Sequence, residues 1–269
     1  SAFSSLLSAM ETTEMRRWIR GSEDGQKGRA RGLRNRLAEL IAQDEQALSE
    51  LDAVIEAARS LPSRGWRTRI SSVSPIGAAE VFFANLRSCL YQRLENMESL
   101  YDIQAEIYPA PPLIITSAAA FAEALQAIRI PLKQLEVSLL RLIDANSETL
   151  DTQTKARFEG AIRSIQRRAI TPLSGWYLQL QDLAVSPDVA NGRDGFVDWM
   201  QINRIEGQDR DIGLHRHWLD PTIPFAELVL EKAHGVAITS ATLRDMRPAS
   251  SKTEEDNTPA SQTLASSQW

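Results

Sequence analysis

Gly235-Val236-Ala237-Ile238-Thr239-Ser240-Ala241-Thr242-Leu243 decides how this chain is read. Val236 to Thr239 is a short apolar run rich in β-branched residues, which suits a buried strand. It passes directly into Thr239, Ser240 and Thr242, whose hydroxyls each donate and accept hydrogen bonds and change partners at little cost. Working outward, Phe225 to Ala233 reads as a short helix, entered through the turn Asp220-Pro221. Before that turn, Phe196 to Ile205 is β-rich and partly alternating. Glu206 to Asp211 is polar and Ile212 to Leu219 is a second strand, so the segment predicts a hairpin. Asn191-Gly192-Arg193-Asp194-Gly195 is the turn cluster that introduces it. Residues 248–269 are Ser, Thr, Pro, Gln and charge almost throughout, and disorder is expected there.

Upstream of Pro187 the pattern is helical. Residues 2–20 carry Phe3, Leu6, Leu7, Met10, Met15, Trp18 and Ile19 near helical spacing. A second helix is predicted from about Ala30 to Leu61, with Leu33, Leu37, Leu40, Ile41, Leu48, Leu51 and Ile55 as its stripe. At 1.5 Å per residue it would be a rod of ~45 Å. A third is expected over Ile76 to Ile107. A fourth runs from a cap at Ser117 to about Ile143 with a kink at Pro131, and a fifth spans Asp151 to Leu183, broken near Pro172 and Gly175. Long helices on short turns predict an antiparallel bundle or arch. The expected fold class is mainly α with a small α/β part.

Composition sets outer limits. The chain has 269 residues, 43% of them hydrophobic, enough for a core in one large or two modest domains. A formal charge of −5 argues against a wholly basic nucleic-acid binder, so any such contact must come from local patches. Cys89 is the one cysteine, which excludes a disulfide framework and fits a reducing, cytoplasmic setting. No unbroken apolar run approaches the ~18 residues of a membrane span, and no signal peptide is visible. Ser1 at the start and Trp269 within a polar tract suggest a chain cut at both ends. No G-x-x-x-x-G-K-[ST] phosphate loop and no D-E-x-H box occur.

The order of hairpin, Asp220-Pro221 exit, short helix and strand ending Thr239-Ser240-Ala241-Thr242-Leu243 resembles the XPD/DinG-type branch of superfamily-2 DNA helicases. Ser1-Ala2-Phe3 through Trp18-Ile19-Arg20 is similar to the helix that follows the magnesium box in bacterial members. The resemblance implies a long-helix arch inserted in an incomplete P-loop helicase motor domain. Residues 1–29 would be a motor-domain helix and basic loop, 30–186 the arch, 187–247 the returning motor segment, and 248–269 a tail. It also implies an ATP-dependent parent that moves 5′→3′ on single-stranded or forked DNA with ATP and Mg, joined to the rest of the motor. Thr239, Ser240, Ala241, Thr242 and Leu243 would be its coupling motif. Many relatives hold an iron–sulfur cluster on four cysteines, which Cys89 alone cannot do, so a cluster-free member is expected. Without the ATP-binding boxes, this chain is expected to bind no ATP and to be inactive alone.

Two basic stretches are candidate DNA contacts. Arg16, Arg17, Arg20, Lys27, Arg29, Arg31, Arg34 and Arg36 outnumber Glu23 and Asp24, and a loop so charged can track a phosphate backbone. Of these, Arg29, Arg31, Arg34 and Arg36 are the first choice. Arg64, Arg67 and Arg69 around Trp66 form a smaller site with an aromatic for base stacking. A solvated helix face is the plainer account of either run. His215 and His217, two apart, would share a strand face and could begin a zinc site, but no third ligand is evident and a structural role is preferred. A stand-alone helical protein-interaction module is the alternative to the motor reading.

Overall fold

The computed structural model describes residues 4–21, 32–72, 74–94, 100–185 and 195–237. Ser4–Ser8 is a strand, β1, and not the start of the predicted helix, which begins only at α1, Ala9–Arg20. Two acceptors set that start. The Ser8 hydroxyl takes the Glu11 N–H at 3.1 Å, and the Asp211 carboxylate takes the Met10 N–H at 2.9 Å.

The expected 30–61 rod is divided into α2, Leu33–Leu37, and α3, Glu45–Ala57. The Asp44 carboxylate accepts the Ala47 N–H at 2.8 Å and so begins a new helix within the hydrophobic stripe. Next come α4, Trp66–Ser71, and α5, Gly77–Arg93. The third predicted helix stops at Arg93, and Ile103–Glu106 is instead β2. The fourth, α6, spans Pro112–Ala145, with Pro in its first turn where a missing N–H costs nothing. Ser117 is not its cap. It is buried inside α6 and donates to the Leu113 carbonyl at 2.8 Å. The predicted break in the fifth helix is a π-helical turn, Gln166–Ile170, between α7, Thr152–Ile165, and α8, Thr171–Val185. Pro172 has no N–H for a regular ladder, which suits a wider turn just before it.

The hairpin is present as β3, Phe196–Ile205, and β4, Gln208–Trp218. Its turn is tighter than expected, just Glu206-Gly207, with φ of 52° and 74°. Positive φ at both central residues is the geometry that follows strand twist in a two-residue loop. The four strands form one antiparallel sheet in the order β1-β4-β3-β2. It joins residues from all three stretches assigned above to motor and arch, because β2 lies within 30–186.

The fold is therefore mainly α with a small sheet. In the unit that ends at Leu219, α6 packs against α3, α5 and α8. Phe82, Phe83 and Phe121 meet between α5 and α6 with ring centroids 5.6–5.7 Å apart. All three are fully buried, each contributing about 2 kcal/mol or more. Alternation sends Met200, Ile202, Ile212 and Leu214 to the helix-facing side of the sheet and Trp199, His215 and His217 to the other. By length and composition α6 is apolar enough to cross a membrane. Here its Ile114, Ala118, Phe121, Leu125, Ile128, Leu132, Leu135 and Leu139 are buried core.

Residues from Asp220 onward form a second unit. Asp220 accepts the Thr222 N–H and hydroxyl at 2.9 and 2.6 Å, starting α9, Thr222–Phe225, which continues as a π turn over Ala226–Leu230. Val236 and Ala237 were expected to open a buried strand. They lie in no strand and are exposed, for the described part of this unit holds helical turns and no strand to pair with them. Ile238 to Leu243, and with them the whole coupling motif Thr239, Ser240, Ala241, Thr242 and Leu243, lie outside the described residues.

Candidate nucleic-acid interface

The basic run divides into two groups by what each guanidinium touches. Arg16 donates to the Arg59 and Leu61 carbonyls at 2.8 and 2.7 Å, and Arg20 to the Ile55 carbonyl at 2.6 Å. Arg20 ties α1 to the end of α3, and Arg16 ties it to the turn that follows. Arg34 pairs with Asp52. Arg17 and Arg36 instead line a cleft of about 500 Å³, together with Arg167 and Arg168 from the π turn. All four are exposed. Lys27, Arg29 and Arg31 lie outside the described residues.

Two tryptophans back this cleft. Trp18 from α1 is 8% exposed and has the Arg36 guanidinium 5.9 Å from its ring centre. Trp176 from α8 is 4% exposed and donates its indole N–H to the Leu6 carbonyl at 2.8 Å. With their faces in the core they hold shape and leave the guanidiniums as the polar contacts. Glu11 and Glu14 stand on the same rim, Glu14 at 3.6 Å from Arg17. The cations come from three elements far apart in sequence, and one feature makes their meeting possible. Gly32 lies so close to the end of α1 that a Cβ there would stand 2.6 Å from the Arg20 carbonyl carbon. Only glycine lets α2 begin against that turn.

No family model matches the chain, and no curated protein matches it.

The second predicted patch is not brought into the cleft. Arg69 is committed to Glu80, which is 1% exposed, through Nε at 2.7 Å and a second bond from Nη2. Desolvation works against the charge on Arg69, but the Glu80 hydrogen bond is the larger effect and raises its pKa. Trp66 is 7% exposed, so its ring packs inward and offers little for base stacking. Arg67 lies over that ring at 5.3 Å, and Arg64 and Arg67 are the members left on the surface.

His215 and His217 do share a strand face, but both address Trp199. The His215 ring stacks on it at 5.0 Å, and the His217 ring meets it edge-on at 4.9 Å. Among the described residues, no group of three potential ligands forms a metal site. Burial first, and the neighbouring His217 second, lower the pKa of His215. Cys89 is buried, as its place among Phe82, Leu86 and Leu90 predicts.

Reasoning from sequence missed Arg167, Arg168 and Trp176. The signal was present as an Arg-Arg pair ahead of Thr171-Pro172, where a helical irregularity was already expected.

Proposed function

We propose that this chain is a segment of an ATP-dependent DNA helicase and that its arginine cleft takes the backbone of single-stranded or forked DNA. The supporting observation is the convergence of Arg17, Arg36, Arg167 and Arg168 on one cleft of a chain whose net charge is negative. A local basic site on an acidic protein concentrates a polyanion at one place and repels it elsewhere. The resemblance in element order supplies the rest of the proposal. Long helices guide the strand, and Thr239, Ser240 and Thr242 couple nucleotide state to movement in the intact parent. ATP and Mg belong to that parent's other motor parts, and its setting is reducing and cytoplasmic.

Fluorescence anisotropy with labelled single-stranded DNA, at low and high salt, tests the cleft. Wild type is expected to bind at low salt and to release as salt rises, while Arg167→Glu/Arg168→Glu binds poorly at both. Failure of wild type to bind at low salt removes the cleft from the proposal. The chain alone is expected neither to bind ATP tightly nor to hydrolyse it, and DNA-stimulated turnover by it would refute the assignment of missing parts.

A protein-interaction module is the second reading. It is favoured by one surface feature of α6, where Ile130, Val137 and Leu140 are 48%, 64% and 46% exposed. Capture of a helical partner that Val137→Glu abolishes, without any effect of DNA, would favour this reading over the first.

A further inference from the structure

A second cavity, of about 390 Å³, lies among α4, α5 and the tip of the β3–β4 hairpin. Its apolar lining is Trp66, Ile70, Ile202 and Ile212, and three guanidiniums, those of Arg67, Arg87 and Arg204, open onto it. That size and mixture, an apolar wall with a few convergent polar groups, is typical of a small-molecule site.

The lining holds three arginines, Arg67, Arg87 and Arg204, against two carboxylates, Asp209 and Asp211. Asp209 accepts from Arg87 Nε at 2.8 Å, from Arg204 Nε at 3.0 Å and from the Tyr91 hydroxyl at 2.8 Å. Arg204 also donates to that hydroxyl at 2.7 Å, and its side chain is 9% exposed, so it is held in place. Burial raises the pKa of Asp209, but the bonds from Arg204, Tyr91 and Arg87 together outweigh it and hold the carboxyl below its ordinary value. Asp211, the other carboxylate of the lining, accepts the Met10 and Ile212 N–H groups and acts on Arg67 through charge, without a hydrogen bond. Arg67 uses its Nε on the Arg210 carbonyl at 2.7 Å. The Nη groups of Arg67 and Arg87 have no acceptor among the described residues.

We propose that this cavity is a phosphate site, in which Arg67 and Arg87 hold the phosphate group of a small molecule with its organic part along Ile70 and Ile202. Guanidiniums arriving from separate elements, α4 and α5, are best bridged by an anion whose oxygens point in several directions. A tetrahedral phosphate meets that need, whereas a planar carboxylate offers two oxygens in one plane. The inference does not rest on the DNA reading of the arginine cleft.

The test is a titration of the full ¹⁵N-labelled chain with inorganic phosphate at constant ionic strength, followed by NMR. The Trp66 indole resonance is assigned with Trp66→Phe. A saturable shift of that resonance is expected. Arg67→Gln should weaken it roughly tenfold, the effect of one lost charge-assisted bond, with Arg67→Lys between them. Arg167→Glu/Arg168→Glu should leave it unchanged. Arg67→Lys keeps the test meaningful if the glutamine variant fails to fold. A shift that never saturates, an equal response to acetate, or loss with the cleft variant and not with Arg67→Gln would each overturn the proposal. Dimethyl phosphate separates the sources. Binding as tight as inorganic phosphate would assign the site to a nucleic-acid phosphodiester and overturn the small-molecule proposal. Weaker binding supports it and assigns the site to a phosphate monoester.

Discussion

Arg216 grips Asp198 directly across the β3–β4 ladder with two parallel hydrogen bonds of 2.7 Å each. Asp182 of α8 adds a third at 2.5 Å, so the trio ties the sheet to a helix. Desolvation opposes the charge on Arg216, yet the bonds and charges of Asp198 and Asp182 prevail and raise its pKa.

Removing one partner of this network should be far worse than removing both. Asp198→Ala leaves a guanidinium that is 7% exposed beside a single remaining carboxylate, and a loss of about 3–5 kcal/mol is expected. Asp198→Leu/Arg216→Met should lose much less. Urea unfolding followed by tryptophan fluorescence measures both, and equal losses would show that the network contributes through packing alone.

Arg69 and Arg168 should separate stability from binding. Arg69→Ala strands the buried Glu80 carboxylate and is expected to lower the urea midpoint while leaving the salt dependence of DNA binding unchanged. If the cleft takes DNA as proposed, Arg168→Glu should do the reverse, reducing the slope of log K against log salt by about 1 for one phosphate contact removed. Anisotropy at several salt concentrations, with unfolding on the same preparations, reads both effects.

His215 sets a pH dependence whose sign is fixed by its environment. Its folded-state pKa is lower than the unfolded 6.5, so the folded protein resists protonation. The stabilisation is present above the unfolded pKa and is lost as pH falls through 6.5 toward the folded value. Thermal unfolding between pH 7.5 and 5.5 should show this fall, and His215→Gln should flatten it. An unaltered profile in the variant would place the dependence on another group.

Gly32→Ala is expected to cost roughly 1–3 kcal/mol, because the backbone it meets cannot move aside as a flexible side chain can. The added methyl should also push α2 away from α1, taking Arg36 off the Trp18 ring. Lower DNA affinity accompanying the lower melting temperature is the expected pair of results, with Gly160→Ala, which meets nothing within 4 Å, as the control.

What could be read in advance followed the range of the forces involved. The β3–β4 hairpin was legible because alternation and turn residues act over a few positions. The α6 core and the irregularity near Pro172 were legible for the same reason. Ser4–Ser8 was not, since Leu6 and Leu7 satisfy either periodicity and become a strand only through pairing with Gly213 to His217, some 200 residues away. The 30–61 rod failed at Asp44, where a local cap outweighed a continuous stripe. At the cleft, the charge of Arg36 was visible, but its company was not. Arg69 carried the same charge as Arg67, and only the fold reveals that Glu80 had claimed it.

The π turn at Gln166–Ile170 also restricts the length of chain that can join α7 to α8. It inserts about one residue of helical phase, roughly 100°, between α7 and α8. Excising a single residue there would restore a regular spiral and at the same time rotate Phe158 and Ile162 out of register with Trp176 and Leu180. The irregularity works as a spacer, and the segment should accept substitutions far more readily than any change in its count.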